Sequence, residues 1–136
     1  LILRLPGVIG NFKADVNFIS NVIKKISQNK TVKYRNPDSY FNNVVHTDTI
    51  AKISEKFLIK ENALFKNKIF NLCSFKPIKI KNVINKINKQ LKSKSKIKIL
   101  TPNKSFQIST KKCEKYGIDL LSTYQSIKKN INFILK

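Results

Sequence analysis

Apolar side chains come along this chain in short blocks, separated by polar stretches rich in turn formers. Leu1 to Leu5 is mostly apolar and predicts a buried strand, which Pro6 and Gly7 stop, with Gly10 allowing a second bend. Phe18, Ile19, Val22, Ile23 and Ile26 recur at the spacing of one helix face, opposite Lys24, Lys25 and Gln28, and Asp15 is the expected cap. Thr31 to Tyr34 alternates as a short strand. Asn36-Pro37-Asp38-Ser39 has turn chemistry, because Pro fixes φ while Asn and Asp side chains bond their own backbone.

Asn42 to His46 reads as another strand, and Thr47-Asp48-Thr49 offers capping oxygens to a helix with a buried stripe of Ile50, Ile53, Phe57 and Leu58. Lys68 to Leu72 is a further strand. Pro77 precedes a helix with Ile80, Val83, Ile84, Ile87 and Leu91 on one side. Lys92 to Lys98 is a loop leading into a strand at Ile97, Ile99 and Leu100. Thr110 caps a short helix to Tyr116 that Gly117 ends, and Ser122 or Thr123 caps a last helix with Ile127, Ile131 and Ile134 inward. Strands alternating with helices predict an α/β layer architecture. In such folds a Pro/Gly corner just past a strand's carboxyl edge is where ligands sit. The strands are few for a doubly wound sheet, and the chain opens inside a strand, so the expectation is that a preceding segment is missing.

Length bounds this picture: 136 residues make one domain or part of one. There is no internal repeat, and no run approaches the roughly 18 apolar residues of a membrane span. The first segment lacks the h-region and cleavage site of a signal peptide. Cys73 and Cys113 have no CxxC spacing and read as reduced thiols of a cytoplasmic protein, without a metal site. Charge changes the picture most, with 28 Lys plus Arg against 7 acids and a net +21. One reading is a polyanionic partner, since Lys and Arg release counterions from phosphates. The preferred reading is the codon bias of an AT-rich genome: only Arg4 and Arg35 are arginines, and Lys, Asn and Ile abound together. Readers of phosphates and bases favour the Arg fork.

In order, five stretches resemble the C-terminal portion of extended short-chain dehydrogenase/reductases, the NAD-dependent nucleotide-sugar epimerase/dehydratase family. R-L-P-G-V-I-G (Arg4 to Gly10) resembles the corner after the family's sixth strand. N-P-D-S-Y-F-N-N-V-V-H-T-D-T-I-A-K-I (Asn36 to Ile53) is similar to its strand, His-x-Asp and helix unit. F-N-L-C-S-F-K-P-I-K-I-K-N-V-I (Phe70 to Ile84) is similar to its Phe-Asn-x-x-Ser…Pro-Ile strand and helix. Phe106 to Gly117 and Ser122 to Ile134 resemble its terminal helices. The implied fold is α/β, the last parallel strands and small substrate-binding lobe of a Rossmann-like enzyme. Residues 1–136 would then be the substrate-binding C-terminal portion, with the dinucleotide-binding half absent. The implied activity is sugar oxidation by hydride transfer to NAD or NADP, then epimerisation, dehydration or reduction, the cofactor carrying the hard chemistry. The implied context is cytoplasmic sugar-nucleotide or surface polysaccharide biosynthesis by a homodimer.

The resemblance places Leu5 and Val8 against the nicotinamide, and Gly7, Asn42 and Asn43 at the substrate. Gly7 stands where many members carry Asn, and Asn42 where many carry an Arg that grips the diphosphate, so Lys13 and Arg35 become substitutes for that charge. His46 and Asp48 match the family's His-x-Asp, with a structural role implied for the histidine. No catalytic residue is expected, because the family's Tyr-x-x-x-Lys lies upstream of the Arg4–Gly10 corner. Tyr124-Gln125-Ser126-Ile127-Lys128 has that spacing but follows the corner, and residues four apart merely share a helix face. Pro6 to Gly10 lacks the third glycine of a dinucleotide loop. The fragment alone is expected to be inactive. The alternatives are a basic nucleic-acid-binding module and a non-catalytic relic of the same family.

Overall fold

The computed structural model describes residues 1–10, 17–59 and 65–134. Strands pair in four two-stranded sheets among these residues. β1 (Ile2–Arg4) runs parallel to β6 (Ile69–Asn71), β2 (Gly7–Ile9) to β5 (Val44–His46), and β3 (Val32–Tyr34) to β8 (Ile97–Ile99). β4 (Tyr40–Phe41) is antiparallel to β7 (Ile78–Lys79). Pro6 interrupts the first strand, so its two halves pair with different partners; proline has no N–H for a ladder.

The helices are α1 (Phe18–Ser27), α2 (Thr47–Ile59), α3 (Ile80–Gln90), α4 (Lys111–Lys115) and α5 (Thr123–Ile134). The expected inward residues of α1 other than Phe18, together with Val83, Ile84 and Ile87 of α3 and Ile127 and Ile131 of α5, meet Ile9, Val32, Tyr34, Phe41 and Val44 in one core. A second core gathers Val45, Ile53, Phe65, Phe70, Leu72, Cys113 and Ile118, with Leu3, Val8 and Phe57 packed on it. Their boundary runs through β5, where Val44 faces one core and Val45 the other, as strand alternation requires.

Ser122 is the cap of α5: its Oγ accepts from Gln125 N (3.3 Å) while Gln125 Oε1 accepts from Ser122 N (2.9 Å), a reciprocal capping box. Asn17 Oδ1 caps α1 through Ser20 N at 2.9 Å; the expected cap Asp15 lies outside the described residues, as does Lys13. Gly117 ends α4 at φ +61°, a left-handed geometry that suits glycine.

Several expectations need correction. Leu1, Ile2 and Leu5 are exposed, because β1 has β6 on one side and no described strand on the other; only Leu3 turns into a core. Leu58 is 82% exposed. Ile50, Ile53 and Phe57 follow the 3- and 4-residue spacing of one face, and Leu58 falls beyond its margin. The strand expected at Ile97, Ile99 and Leu100 is present as β8 but stops at Ile99. Asn42–His46 becomes a strand only from Val44, since Asn42 is drawn aside by its own side-chain bonds. No described helix is long and apolar enough to cross a membrane.

Candidate functional site

The Pro6-Gly7 corner meets the connection between β4 and β5 at close range. Gly7 N donates to Asn43 O at 3.3 Å, and a Cβ on Gly7 would stand 3.2 Å from that oxygen. Asn17 Nδ2 donates to Val8 O at 2.8 Å, so one asparagine both caps α1 and pins the corner. Leu5 lines a cleft of about 310 Å³ with Arg4, Pro6, Asn71 and residues 107–109, whereas Val8 is half-buried against the second core.

Asn42 and Asn43 point their amides at segment 101–109, which is exposed except at half-buried Ile108. Asn42 is 1% exposed; its Nδ2 donates to Ile108 O (2.8 Å) and its Oδ1 accepts from Ile108 N (3.1 Å). Asn43 Nδ2 donates to Phe106 O at 3.4 Å, and its buried Oδ1 has no partner. The structure therefore engages both ends of the Asn42 amide within the chain.

A second cleft, of about 370 Å³, lies between α1, β3, β4 and the start of α3, lined by Phe18, Lys33, Tyr34, Arg35, Phe41 and Leu100 among others. Its walls are aromatic and aliphatic, with Lys33 and Arg35 supplying charge, so it suits a planar group bearing phosphate. No local motif marks it: the run 33–36 meets Phe18, Phe41, Ile80 and Leu100 from separate parts of the chain, and of these residues only Arg35 was a candidate ligand contact in the sequence. The Arg35 guanidinium donates to Thr101 O at 2.8 Å.

His46 is 1% exposed at the end of β5, and its Nδ1 accepts the backbone N–H of Asp48 at 3.1 Å. That bond puts the imidazole proton on Nε2, which is buried without a partner. Burial holds His46 below its usual 6.5, outweighing the pull of Asp48, and Lys129 pushes the same way as burial. The unfolded chain thus takes up a proton near pH 6.5 that the folded chain refuses, so stability is complete above that pH and falls as pH drops towards the lowered value. Melting temperature is expected to fall between pH 7.5 and 5, and His46→Gln to flatten that slope; an unchanged slope would refute the assignment. Asp38 and Asp48, lowered chiefly by hydrogen bonds from Lys81 and Lys129 respectively, act only below their usual 3.8.

Neither cysteine is poised for catalysis: burial pushes the Cys73 thiol up to about 11 and raises Cys113 as well. Tyr124 is exposed on α5 with Lys86 Nζ 3.9 Å from its ring centre, outside the buried face of that helix, and Lys128 is exposed too. No group of His, Cys, Asp or Glu that could hold a metal occurs among the described residues.

No family model and no curated protein matches the sequence. Solved structures do match. UDP-glucose 4-epimerase from Thermotoga maritima, with UDP-glucose, superposes with a TM-score of 0.72 at 15% identity, covering 98% of this chain and 45% of its own. dTDP-glucose 4,6-dehydratase from Bacillus anthracis, in complex with NAD, gives 0.73 at 12% identity over 98% and 43%. GDP-mannoheptose C4 reductase from Campylobacter jejuni, with NADP bound, gives 0.72 at 13% identity over 98% and 49%. The chain spans somewhat under half the length of these enzymes. Parallel strand pairs, helix order and these superpositions together give it a Rossmann-like α/β fold, that of a portion of these epimerase, dehydratase and reductase structures.

Proposed function

We propose that this chain is the substrate-binding portion of an NAD(P)-dependent nucleotide-sugar epimerase, dehydratase or reductase. The observation that carries the reading is the 370 Å³ cleft, whose apolar walls and Lys33 and Arg35 would hold a base and its phosphates. Leu5 and Val8 would form one wall of the nicotinamide pocket, and Gly7 and Asn43 would meet the sugar-nucleotide. Asn42 would serve that same substrate site through the segment it holds. A dinucleotide-binding half would pack on β1, beside exposed Leu1 and Ile2, and bring the catalytic residues. The cofactor would supply hydride transfer, and this portion would bind and orient the sugar. On the same reading the whole enzyme is a cytoplasmic homodimer in sugar-nucleotide or surface polysaccharide biosynthesis.

Calorimetry tests this. The 136-residue chain is expected to bind UDP weakly, with a Kd of about 1 mM, to show no measurable affinity for NAD, and to turn nothing over. Fused behind a Gly-rich loop half with Tyr-x-x-x-Lys, it is expected to gain NAD binding and sugar-dependent reduction of the nicotinamide. Tight NAD binding by the chain alone would sink the reading. The nucleic-acid alternative rests on the +21 charge and requires lysines gathered on one face. Exposed lysines on every helix, among them Lys24, Lys52, Lys86, Lys115 and Lys128, weigh against it.

A further inference from the structure

Residues 101–107 have no secondary structure and are all exposed, and the largest side chain among them, Phe106, is 70% exposed. With no apolar anchor of its own, this strap is held by polar tethers from the β3–β4 turn and the β4–β5 connection. Arg35 reaches Thr101 O, Asn36 Oδ1 accepts from Asn103 N (2.8 Å), Ser105 Oγ bonds Ser39 Oγ (2.8 Å), and Asn43 reaches Phe106 O. The last tethers come from fully buried side chains to Ile108: Asn42 uses both amide ends, and the Cys73 thiol adds a weaker bond to Ile108 O at 3.6 Å. The strap also borders both clefts, with Leu100 just before it in the wall of the larger and Gln107 and Ile108 in the wall of the smaller.

We infer that Asn42 is a positioning residue that seats the strap, and that strap closure is coupled to occupancy of the 370 Å³ cleft by a nucleoside diphosphate. The coupling rests on the reading proposed above; the seating does not. A segment with exposed backbone and few apolar contacts opens at low cost. Arg35 links the two states, because it lines the cleft and also donates to the strap at Thr101 O. Only Nη1 is used on Thr101 O, so a ligand phosphate can take the remaining N–H donors and fix the guanidinium where it tethers the closed strap, which is the differential contact that coupling needs.

Trypsin reads the strap directly, since Lys104 is exposed at its centre, and mass spectrometry follows the Lys104–Ser105 cut. Asn42→Ala is expected to speed that cut by about tenfold relative to cuts elsewhere. Asn36→Gly is the second variant: it keeps the left-handed backbone at Asn36 (φ 54°) while removing the acceptor for Asn103 N, and should speed the cut without depending on a buried change. UDP at millimolar concentration is expected to slow the cut in the native chain and to lose most of that protection in Asn42→Ala. Native-like cutting in both variants would overturn the seating. UDP that binds by calorimetry yet leaves the cut unprotected would overturn the coupling alone, and UDP that does not bind at all would overturn the coupling together with the proposed substrate class.

Discussion

Gly10→Ala is expected to destabilise the chain by about 3 kcal/mol or more, the upper range for overpacking a tight site. A Cβ on Gly10 would lie 2.1 Å from Thr47 Oγ1, 2.6 Å from Thr47 Cγ2 and 2.8 Å from Thr47 Cβ. None of these atoms is the end of a flexible chain. Thr47 begins α2 directly after β5, and Gly10 follows β2, the parallel partner of β5, so neither backbone retreats without breaking that pairing. Glycine is required here for space. Urea unfolding should show a lower midpoint with an unchanged slope. Thr47→Gly in the same chain should recover much of the loss, because the clashing atoms are gone; a strictly additive double variant would contradict the contact.

Phe70→Ala is expected to cost about 3–5 kcal/mol, the usual range for removing a fully buried phenylalanine. Phe70 is 0% exposed and centres an aromatic cluster, with ring centres 5.3 Å from Tyr116, 6.0 Å from Phe65 and 6.2 Å from Phe57. Lys112 Nζ lies 5.3 Å from its ring centre. The residue sits in β6 opposite Leu3, so the cavity would open under the strand that leads to the Pro6-Gly7 corner. Folded domains hold only about 5–15 kcal/mol in all, and this loss is a large part of that. Phe70→Leu should cost well under half as much in the same denaturation experiment. Equal losses for Ala and Leu would mean that aromatic packing, rather than filled volume, holds the second core.

Which parts of this molecule were legible follows the range of the forces involved. The stripes of α1, α3 and α5 are written in residues three and four apart, so periodicity alone located them and most of their buried positions. Ser122 and Gly117 were legible for the same reason, since a cap and a left-handed stop are chosen by their immediate neighbours. Leu58 misled because it is apolar and adjacent to Phe57, yet one residue turns a helix by roughly 100° and carries it off the buried face. β4 and β7 were invisible as strands: Tyr40–Phe41 and Ile78–Lys79 are too short to show a period.

The site divides in the same way. Gly7, Asn42 and Asn43 were proposed through the resemblance alone, Gly7 and Asn42 at positions where many members of that family carry Asn and Arg. The partner that decides what Asn42 does, Ile108, lies 66 residues away and is marked by no pattern. The aromatic cleft likewise assembles Phe18, Tyr34, Phe41 and Leu100 from separate elements.

By itself the sequence determined the α/β alternation, the inward faces of the helices, the turn chemistry and the excess of positive charge, all of which depend on near neighbours or on composition. Only the tertiary structure decided which strands pair, that β1 is left with an exposed side, that Thr47 closes on Gly10, and that two clefts flank a tethered strap. Those outcomes depend on where distant segments come to rest, and short-range preference does not encode that.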